Sequence, residues 1–280
     1  NVLRDQKKDA RLVGNIGNPI LSEKKITKKT FFVIEASSYQ LEYSKIFKSK
    51  YSVILNITPD HIERHKSFKN YIKAKFRLID SQSTKSVAFV KRNDPVIVKK
   101  LRSKKYKQKI IKIDTSLQPP IFKKIRNTYF MSSGNRENLI FVLKICKILK
   151  LNEEKILRII NKFKGLKYRQ QIIFDNKYLT IINDSKSTSI ASSESLLKNI
   201  KNVYWILCGI PKKKDKFNLT KFQCKYFKGY IFGKHQEELR KNLKNKLTIK
   251  KFKNLKDTLN QIFSEIKHNK KGKNTILFSP

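Results

Sequence analysis

Two polar positions in the chain follow apolar runs that have the composition of buried strands. Glu35 ends the run at 31–35, and His61 lies in the segment that follows the run at 51–57. In sheets covered by helices, ligands gather beyond the carboxyl ends of parallel strands. We therefore expect the carboxylate and the imidazole to meet at one edge of a sheet, where they suit a magnesium or phosphate site. A solvated strand-end carboxylate is the alternative for Glu35, and the residues alone leave both open.

Lys75 lies inside the apolar face of a helix predicted over 67–79. At about 100° per residue, that face also carries Phe68, Tyr71, Ile72, Phe76 and Ile79. A lysine placed there must extend its ammonium to water or lose the charge, because an unpaired buried ammonium is costly. A neutral lysine can take up carbon dioxide as a carbamate and present two anionic oxygens to a metal ion. Both outcomes stay open at this point.

Other motifs for metal or thiol chemistry do not hold. His61 and His65 have the spacing of a zinc-protease pair, but Ile62 stands where H-E-x-x-H requires its glutamate. The cysteines are too far apart for a zinc or paired redox motif, and their odd number argues against a disulfide framework. We expect reduced, buried thiols at Cys146, Cys208 and Cys224.

The chain is strongly basic, with 65 Lys and Arg against 21 Asp and Glu and a net charge of +44. Such a charge attracts nucleic acid or anionic lipid. The lysines are nevertheless spread along the whole chain, as expected from an AT-rich genome, and no recognisable RNA-binding signature accompanies them. We expect no specific nucleic-acid partner, although a basic RNA-binding protein is the alternative class. No apolar run reaches the roughly 18 residues of a membrane span, so we expect a cytoplasmic protein.

Strand-like and helix-like segments alternate, which predicts an α/β fold built on parallel sheets. The pattern restarts near Gly165, so we expect one domain at 1–165 and a second at 166–280. The segment at 93–95 has the composition of a turn. The predicted strands lie at 31–35, 51–57, 86–90, 178–183, 203–208, 229–232 and 275–278, and the clearest helices at 67–79, 136–150 and 153–163.

Six strings occur in one order along the chain and together resemble the Mur ligase family of ATP-dependent amide ligases. They are GNIGNP at 14–19, EASSYQLE at 35–42, LNITPDHIERH at 55–65, YIKAKFRLI at 71–79, FKGLKYR at 163–169 and INDSKSTS at 182–189. Within the family, EASSYQLE and INDSKSTS are similar to the members that add D-glutamate. Siblings that add other amino acids typically carry D-Y-x-H-x-P or N-A-N-P in the segment corresponding to INDSKSTS, and they are the alternative.

The resemblance implies a fold and a metal site. It implies a central, P-loop-like ATP-binding domain at 1–165, followed by a Rossmann-like α/β domain at 166–280. By the same resemblance Glu35 and His61 bind magnesium, and Lys75 is carbamylated and holds a second magnesium ion.

The resemblance also implies residues that bind ATP. Asn135 and Asn138 match the family's H-N-x-x-N element, although Gly134 stands where that element has histidine. Cationic and acidic positions of the second domain resemble those that engage the phosphates and ribose, with Tyr168 in place of a more usual histidine. These positions are Arg169, Asp184 and Lys186.

Substrate contacts follow in the same way. Thr188 is similar to a D-glutamate ligand, and Lys212 fits the lysine that meets the carboxylate of the incoming amino acid, with Lys213 or Lys214 as alternatives. Asn15 resembles a contact to the uridine-linked substrate, although an ordinary turn asparagine beside two glycines explains it equally well.

The implied reaction is the ATP-dependent joining of D-glutamate to UDP-N-acetylmuramoyl-L-alanine in peptidoglycan synthesis, by a monomer. No G-x-x-x-x-G-K-[ST] phosphate loop occurs among the eight glycines, and we expect one upstream of Asn1. The sequence ending at Pro280 also lacks the A-C-A-S-like loop that normally follows. We therefore expect an incomplete ligase that is inactive by itself, and a noncatalytic ligase-like scaffold is a further alternative.

Overall fold

The computed structural model of the chain describes residues 1–187, 189–198, 200–211, 217–269 and 272–279. The chain forms two compact units, residues 1–126 with 137–162 and residues 127–136 with 163–280. Both units alternate strands and helices, so the predicted α/β class is confirmed. Within the described ranges, no helix combines the length and the apolar character needed to cross a membrane.

The strands of the first unit are parallel and fall, among the described residues, into two sheets. They are β1 (Ala10–Gly14), β2 (Phe31–Glu35), β3 (Tyr51–Ile54), β4 (Val87–Lys91) and β5 (Lys109–Ile113). β1 pairs with β2, and the second sheet has the order β3-β4-β5. The expectation that Glu35 and His61 follow strands of one sheet is wrong in this respect, because β2 and β3 have different partners.

Helices alternate with these strands, and the longer ones bury one apolar side. They are α1 (Val2–Asp5), α2 (Ser38–Tyr43), α3 (Ile62–His65), α4 (Phe68–Asp80), α5 (Pro95–Arg102), α6 (Ser133–Ile148) and α7 (Glu153–Lys162), and 3-10 turns lie at Ile20–Ser22 and Pro120–Lys124. The first residues of α6 and a 3-10 turn at Thr128–Met131 belong to the second unit. α4 begins after Ser67, whose side chain caps it by accepting from the Asn70 amide. Its apolar face places Phe76 and Ile79, both fully buried, in a core with Val90 of β4.

The second unit contains, in its described part, a six-stranded sheet of order β10-β9-β8-β11-β7-β6. All neighbours are parallel except β6 and β7. Trp205 and Leu207 of β8 and Leu277 of β11 are buried in its core. The elements are β6 (Gln171–Asp175), β7 (Leu179–Asn183), β8 (Val203–Leu207), β9 (Phe227–Phe232), β10 (Thr248–Phe252), β11 (Asn274–Phe278), α8 (Ile190–Leu197), α9 (Gln236–Leu243), α10 (Leu255–His268) and a 3-10 turn at Gln223–Tyr226.

The described strands that the apolar pattern did not predict all lie at sheet edges. β1, β5, β6 and β10 each lie at the edge of a described sheet, and β5 and β10 carry lysines between their apolar residues. The turn expected at 93–95 is present in part, because Asn93 lies in a turn at 92–93, whereas Pro95 is the first residue of α5 and Asp94 caps that helix by accepting from the Ile97 amide. Aspartate followed by proline thus begins a helix here.

Gly14 is required by the close approach of β1 to β2. Its φ is +106°, and a Cβ added there would lie 2.4 Å from the Glu35 carbonyl oxygen. Side chains at other residues are strained at this φ, and here one would also collide with backbone.

Gly14→Ala should therefore lower the free energy of unfolding by roughly 2 kcal/mol or more, since strain and collision act together. Gly134→Ala is the matched control, because Gly134 lies in α6 and an added Cβ meets nothing within 4 Å. That control should stabilise the protein by up to about 1 kcal/mol. Urea unfolding measures both, and equal effects of the two substitutions would contradict the assignment.

Candidate active-site residues

Glu35 and Asn15 lie side by side where β1 and β2 end. Glu35 is the last residue of β2, and its carbonyl oxygen accepts a hydrogen bond from the Asn15 amide at 2.8 Å. Both side chains are exposed. The strand pairing of Gly14 with Glu35 sets this position, so the two predicted site residues share one strand end.

His61 has an unusual backbone conformation immediately before α3. Its φ is +53°, in the left-handed region that non-glycine residues seldom adopt. Asp60 supports it twice, by accepting from the His61 amide at 3.0 Å and by placing Oδ2 3.5 Å from His61 Nε2. Strained backbone of this kind clusters at functional sites. The ring of His61 is half exposed and also contacts the Tyr39 ring, with centroids 5.1 Å apart.

Lys75 is partly buried on α4, and two carboxylates influence the pKa of its amine. Burial lowers the pKa of its amine, while Asp60 and Glu35 act in the opposite direction. Its Nζ lies 5.5 Å from the centre of the Tyr71 ring. Asp60 also pairs with His61, so the structure brings Asp60, His61 and Lys75 near one another, and Glu35 lies within electrostatic range of Lys75. The Lys75 side chain is therefore neither fully exposed to water nor fully buried in the core.

The donors of this cluster fit a magnesium ion. Two carboxylates and an imidazole offer hard oxygen donors and one nitrogen. Among the residues that the structure describes, no group of three or more His, Cys, Asp or Glu side chains is placed to hold a metal ion by itself. Magnesium suits such a partial set, since it keeps several waters and takes substrate phosphates as further ligands.

Asp184 organises the predicted nucleotide residues of the second unit. It follows β7 and is buried, with 6% of its surface exposed. Its Oδ1 accepts from the Gln170 amide at 3.0 Å, and its own amide donates to Phe278 at the end of β11. Burial raises the pKa of the Asp184 carboxyl, while the Gln170 amide and the nearby Arg169 lower it. The carboxylate is therefore held at the ends of two central strands.

Arg169 acts on Asp184 electrostatically and lies between two residues with a left-handed backbone. Tyr168 has φ +65° and Gln170 has φ +47°. The Tyr168 carbonyl accepts from the Lys186 amide at 2.9 Å, and the Gln170 side-chain oxygen accepts from Asn135 Nδ2 at 3.1 Å. Four of the predicted nucleotide residues are thus brought together, namely Asn135, Arg169, Asp184 and Lys186.

Among the remaining predicted residues, the structure describes Asn138. Asn138 is exposed on α6, in the part of that helix that belongs to the first unit. Thr188 and Lys212, with its alternatives Lys213 and Lys214, lie outside the described residues.

Asp60 and Gln170 are the neighbours that sequence reasoning did not assign. Asp60 stands beside His61 in the quoted string, which was the available signal. Gln170 precedes the edge strand β6, and its sequence context gave no signal, because its contribution depends on its backbone conformation.

The profile of the Mur ligase middle domain matches residues 4–152. The chain belongs to the Mur ligase family. It is 30% identical over 267 residues to the UDP-N-acetylmuramoylalanine--D-glutamate ligase of Rickettsia felis, a match that covers 88% of the chain and 58% of that relative. The ligase of the same name from a Wolbachia of Brugia malayi is 28% identical over 336 residues, covering the whole chain and 67% of that relative. The chain thus spans about three fifths to two thirds of these relatives.

Solved Mur ligase structures share the fold. The MurF ligase of Thermotoga maritima, solved with ADP, matches 99% of the chain with a TM-score of 0.69 at 14% identity, over 71% of its own length. UDP-N-acetylmuramate-alanine ligase MurC of the same organism matches 99% of the chain with a TM-score of 0.61 at 13% identity, over 66% of its length. The family and the fold expected from the sequence are confirmed, whereas the roles of individual residues remain predictions.

The raised pKa of Asp184 predicts a stability difference that depends on pH. The folded state of the wild type favours the protonated carboxyl, so its stability falls as pH rises above the ordinary aspartate value of about 3.8. Replacing the carboxyl with a carboxamide would keep an oxygen that accepts from the Gln170 amide and would remove the charge. Asp184→Asn should therefore gain stability relative to the wild type as pH increases from 4 to 7. Urea unfolding across that range tests this, and a gain that shrinks with rising pH would contradict it.

Proposed function

We propose that the protein to which this chain belongs joins D-glutamate to UDP-N-acetylmuramoyl-L-alanine with ATP, through an acyl phosphate, in peptidoglycan synthesis. The observation that carries the proposal is the cluster of Lys75 with Glu35, Asp60 and His61 in a chain of this family. Relatives named for D-glutamate ligation support the choice of amino acid. The MurF and MurC likeness supports the fold alone and does not favour a sibling activity.

The chemistry proceeds in two steps. The L-alanyl carboxylate attacks the γ-phosphorus of ATP and ADP leaves, which forms the acyl phosphate. The amine of D-glutamate then attacks the acyl carbon, loses a proton, and phosphate leaves. Magnesium ions would offset the charge of the reacting phosphoryl group and the carboxylate, which otherwise repel each other. Holding the amine beside the acyl carbon can contribute several kcal/mol, because the encounter becomes effectively intramolecular.

Lys75 would supply part of the metal site as a carbamate. The neutral amine attacks carbon dioxide, a nitrogen–carbon bond forms, and one proton passes to solvent. Burial supports this step because it lowers the pKa of the amine and so increases the neutral fraction. Glu35 and His61 would each hold a magnesium ion next to the carbamate oxygens.

The second unit would bind the nucleotide. Arg169 and Lys186 would face the phosphates as cations, and Asp184 would accept from ribose hydroxyls. Asn135, fixed by Gln170 and by the Tyr129 carbonyl at 2.9 Å, would contact the nucleotide as well. The same role is proposed for Asn138.

Substrate contacts and organisation complete the proposal. Asn15 would contact the uridine-linked substrate, while Thr188 and Lys212 would bind D-glutamate. We expect a central ATP-binding domain at 1–165 and a C-terminal domain at 166–280. We also expect a monomer that works in the cytoplasm on small-molecule substrates.

Lys75→Ala in the full-length protein should reduce kcat at least about 100-fold, equivalent to roughly 2.7 kcal/mol, because a metal ligand is lost. Acetate should restore part of the activity by replacing the carbamate. Lys73→Ala is the matched control, since Lys73 lies exposed on the same helix. Phosphate release measures all three. Activity within about twofold of wild type for Lys75→Ala would rule out the carbamate.

The choice of amino acid is tested by supplying the full-length protein with ATP, magnesium and UDP-N-acetylmuramoyl-L-alanine. D-Glutamate should support phosphate release and form the amide product seen by mass spectrometry, while L-glutamate, L-lysine and L-alanine should not. Faster turnover with another amino acid would identify a sibling ligase instead.

A further inference from the structure

A buried histidine that is not one of the predicted metal ligands lies between the elements that carry those ligands. His65 ends α3, its side chain has no exposed surface, and its amide donates to the His61 carbonyl at 3.1 Å. The Asn70 side chain of α4 donates to the His65 carbonyl at 3.0 Å. The backbone of His65 therefore joins His61 to the start of the helix that carries Lys75.

The imidazole of His65 meets α2 with both nitrogens. Nε2 lies 2.9 Å from Ser38 Oγ, and Nδ1 lies 3.7 Å from Glu42 Oε2. Ser38 and Glu42 are one helical turn apart on the helix that follows Glu35. Glu42 Oε2 and His65 Nδ1 are buried without a hydrogen-bond partner within the described residues. A buried polar ring is costly unless it is bonded, so the hydrogen bond between Nε2 and Ser38 Oγ is the contact that orients the ring, with the Glu42 carboxylate close to its other nitrogen.

This Ser–His–Glu arrangement resembles that of a hydrolase, but its accessibility excludes the role. Ser38 is 4% exposed and the His65 ring is fully enclosed, so no substrate carbonyl can reach the serine oxygen. A nucleophile needs an approach for the group that it attacks. The arrangement therefore holds parts of the structure together.

Aromatic rings extend the contact of His65 to the proposed metal ligands. Tyr39 stacks on His65 at 5.4 Å and also contacts His61 at 5.1 Å. Tyr71 meets His65 edge-on at 5.5 Å, and Lys75 Nζ lies over the Tyr71 ring. Through these two tyrosines His65 is connected to both His61 and Lys75.

We propose that His65 is a positioning residue that holds the elements carrying Glu35, His61 and Lys75 in register for metal binding. The inference rests on the proposed function, since it needs the metal site to exist. Residues that orient metal ligands commonly change affinity 10- to 100-fold when they are replaced. A histidine that only filled the core would change stability and leave the metal affinity intact.

Histidine-selective ¹³C labelling gives a direct readout, because the chain contains four histidines. Mn²⁺ should broaden the His61 signal first in the wild-type protein in bicarbonate buffer. His65→Phe keeps a ring between the tyrosines and removes both nitrogens, whereas Ser38→Ala removes a single partner. His268→Phe is the matched control at an exposed position whose ring contacts its own helix.

His65→Phe should shift or broaden the His61 signal in the absence of metal. It should also raise the Mn²⁺ midpoint, the concentration at which half of the His61 signal is lost, about tenfold or more. Ser38→Ala should raise that midpoint by roughly fivefold, as expected for one hydrogen bond, and gives the answer should His65→Phe not fold. The His235 signal should stay unchanged in both, and His268→Phe should leave the midpoint within twofold.

An unchanged His61 signal and a midpoint within twofold in both variants would overturn the positioning role while leaving the metal site in place. Failure of Mn²⁺ to broaden His61 in the wild type, with Glu35→Gln behaving identically, would overturn the metal site and this inference with it. The two failures are therefore distinguishable.

Discussion

The environment of one partly buried lysine determines how the first unit can work. Burial of Lys75 disfavours its charge, while Glu35 and Asp60 favour it. An amine balanced in this way is neither a simple surface cation nor an inert core residue. Adding carbon dioxide would place a negative charge among these carboxylates, and that arrangement is stable only if cations occupy the space between them. The proposed carbamate at Lys75 would therefore require metal ions beside it.

Several elements of the first unit together set the surroundings of Lys75. Glu35 comes from β2, Asp60 and His61 from the loop before α3, and Lys75 from the middle of α4. β2 and β3 lie in different described sheets, so a shared sheet edge does not align them. Contacts of α2, α3 and α4 with one another do so instead, through Tyr39, His65 and Tyr71.

The second unit uses backbone conformation where the first uses side-chain packing. Left-handed residues flank Arg169, whose charge lowers the pKa of the Asp184 carboxyl, and the ends of β7 and β11 hold that buried group. A buried acid with a raised pKa destabilises the fold at neutral pH. Its presence near the cationic Arg169 makes this position a candidate functional site.

Much of this was predictable from the sequence, and the remainder has identifiable physical causes. Apolar runs located the central strands, and the lysine within the stripe of α4 is the residue whose pKa Glu35 and Asp60 influence in the structure. β5 and β10 were missed because an edge strand needs little apolar surface and tolerates lysine. Asp60 and Gln170 were missed because their importance arises from a φ angle and a backbone hydrogen bond, which spacing does not reveal.

The most direct test of the account is a crystal structure of the full-length protein with Mn²⁺, bicarbonate and a nonhydrolysable ATP analogue, with data collected for anomalous scattering. We predict a carbamate on Lys75 and manganese peaks within about 2.5 Å of its oxygens, one also bound by Glu35 and one by His61. An unmodified Lys75, with manganese bound elsewhere on the protein, would contradict the account.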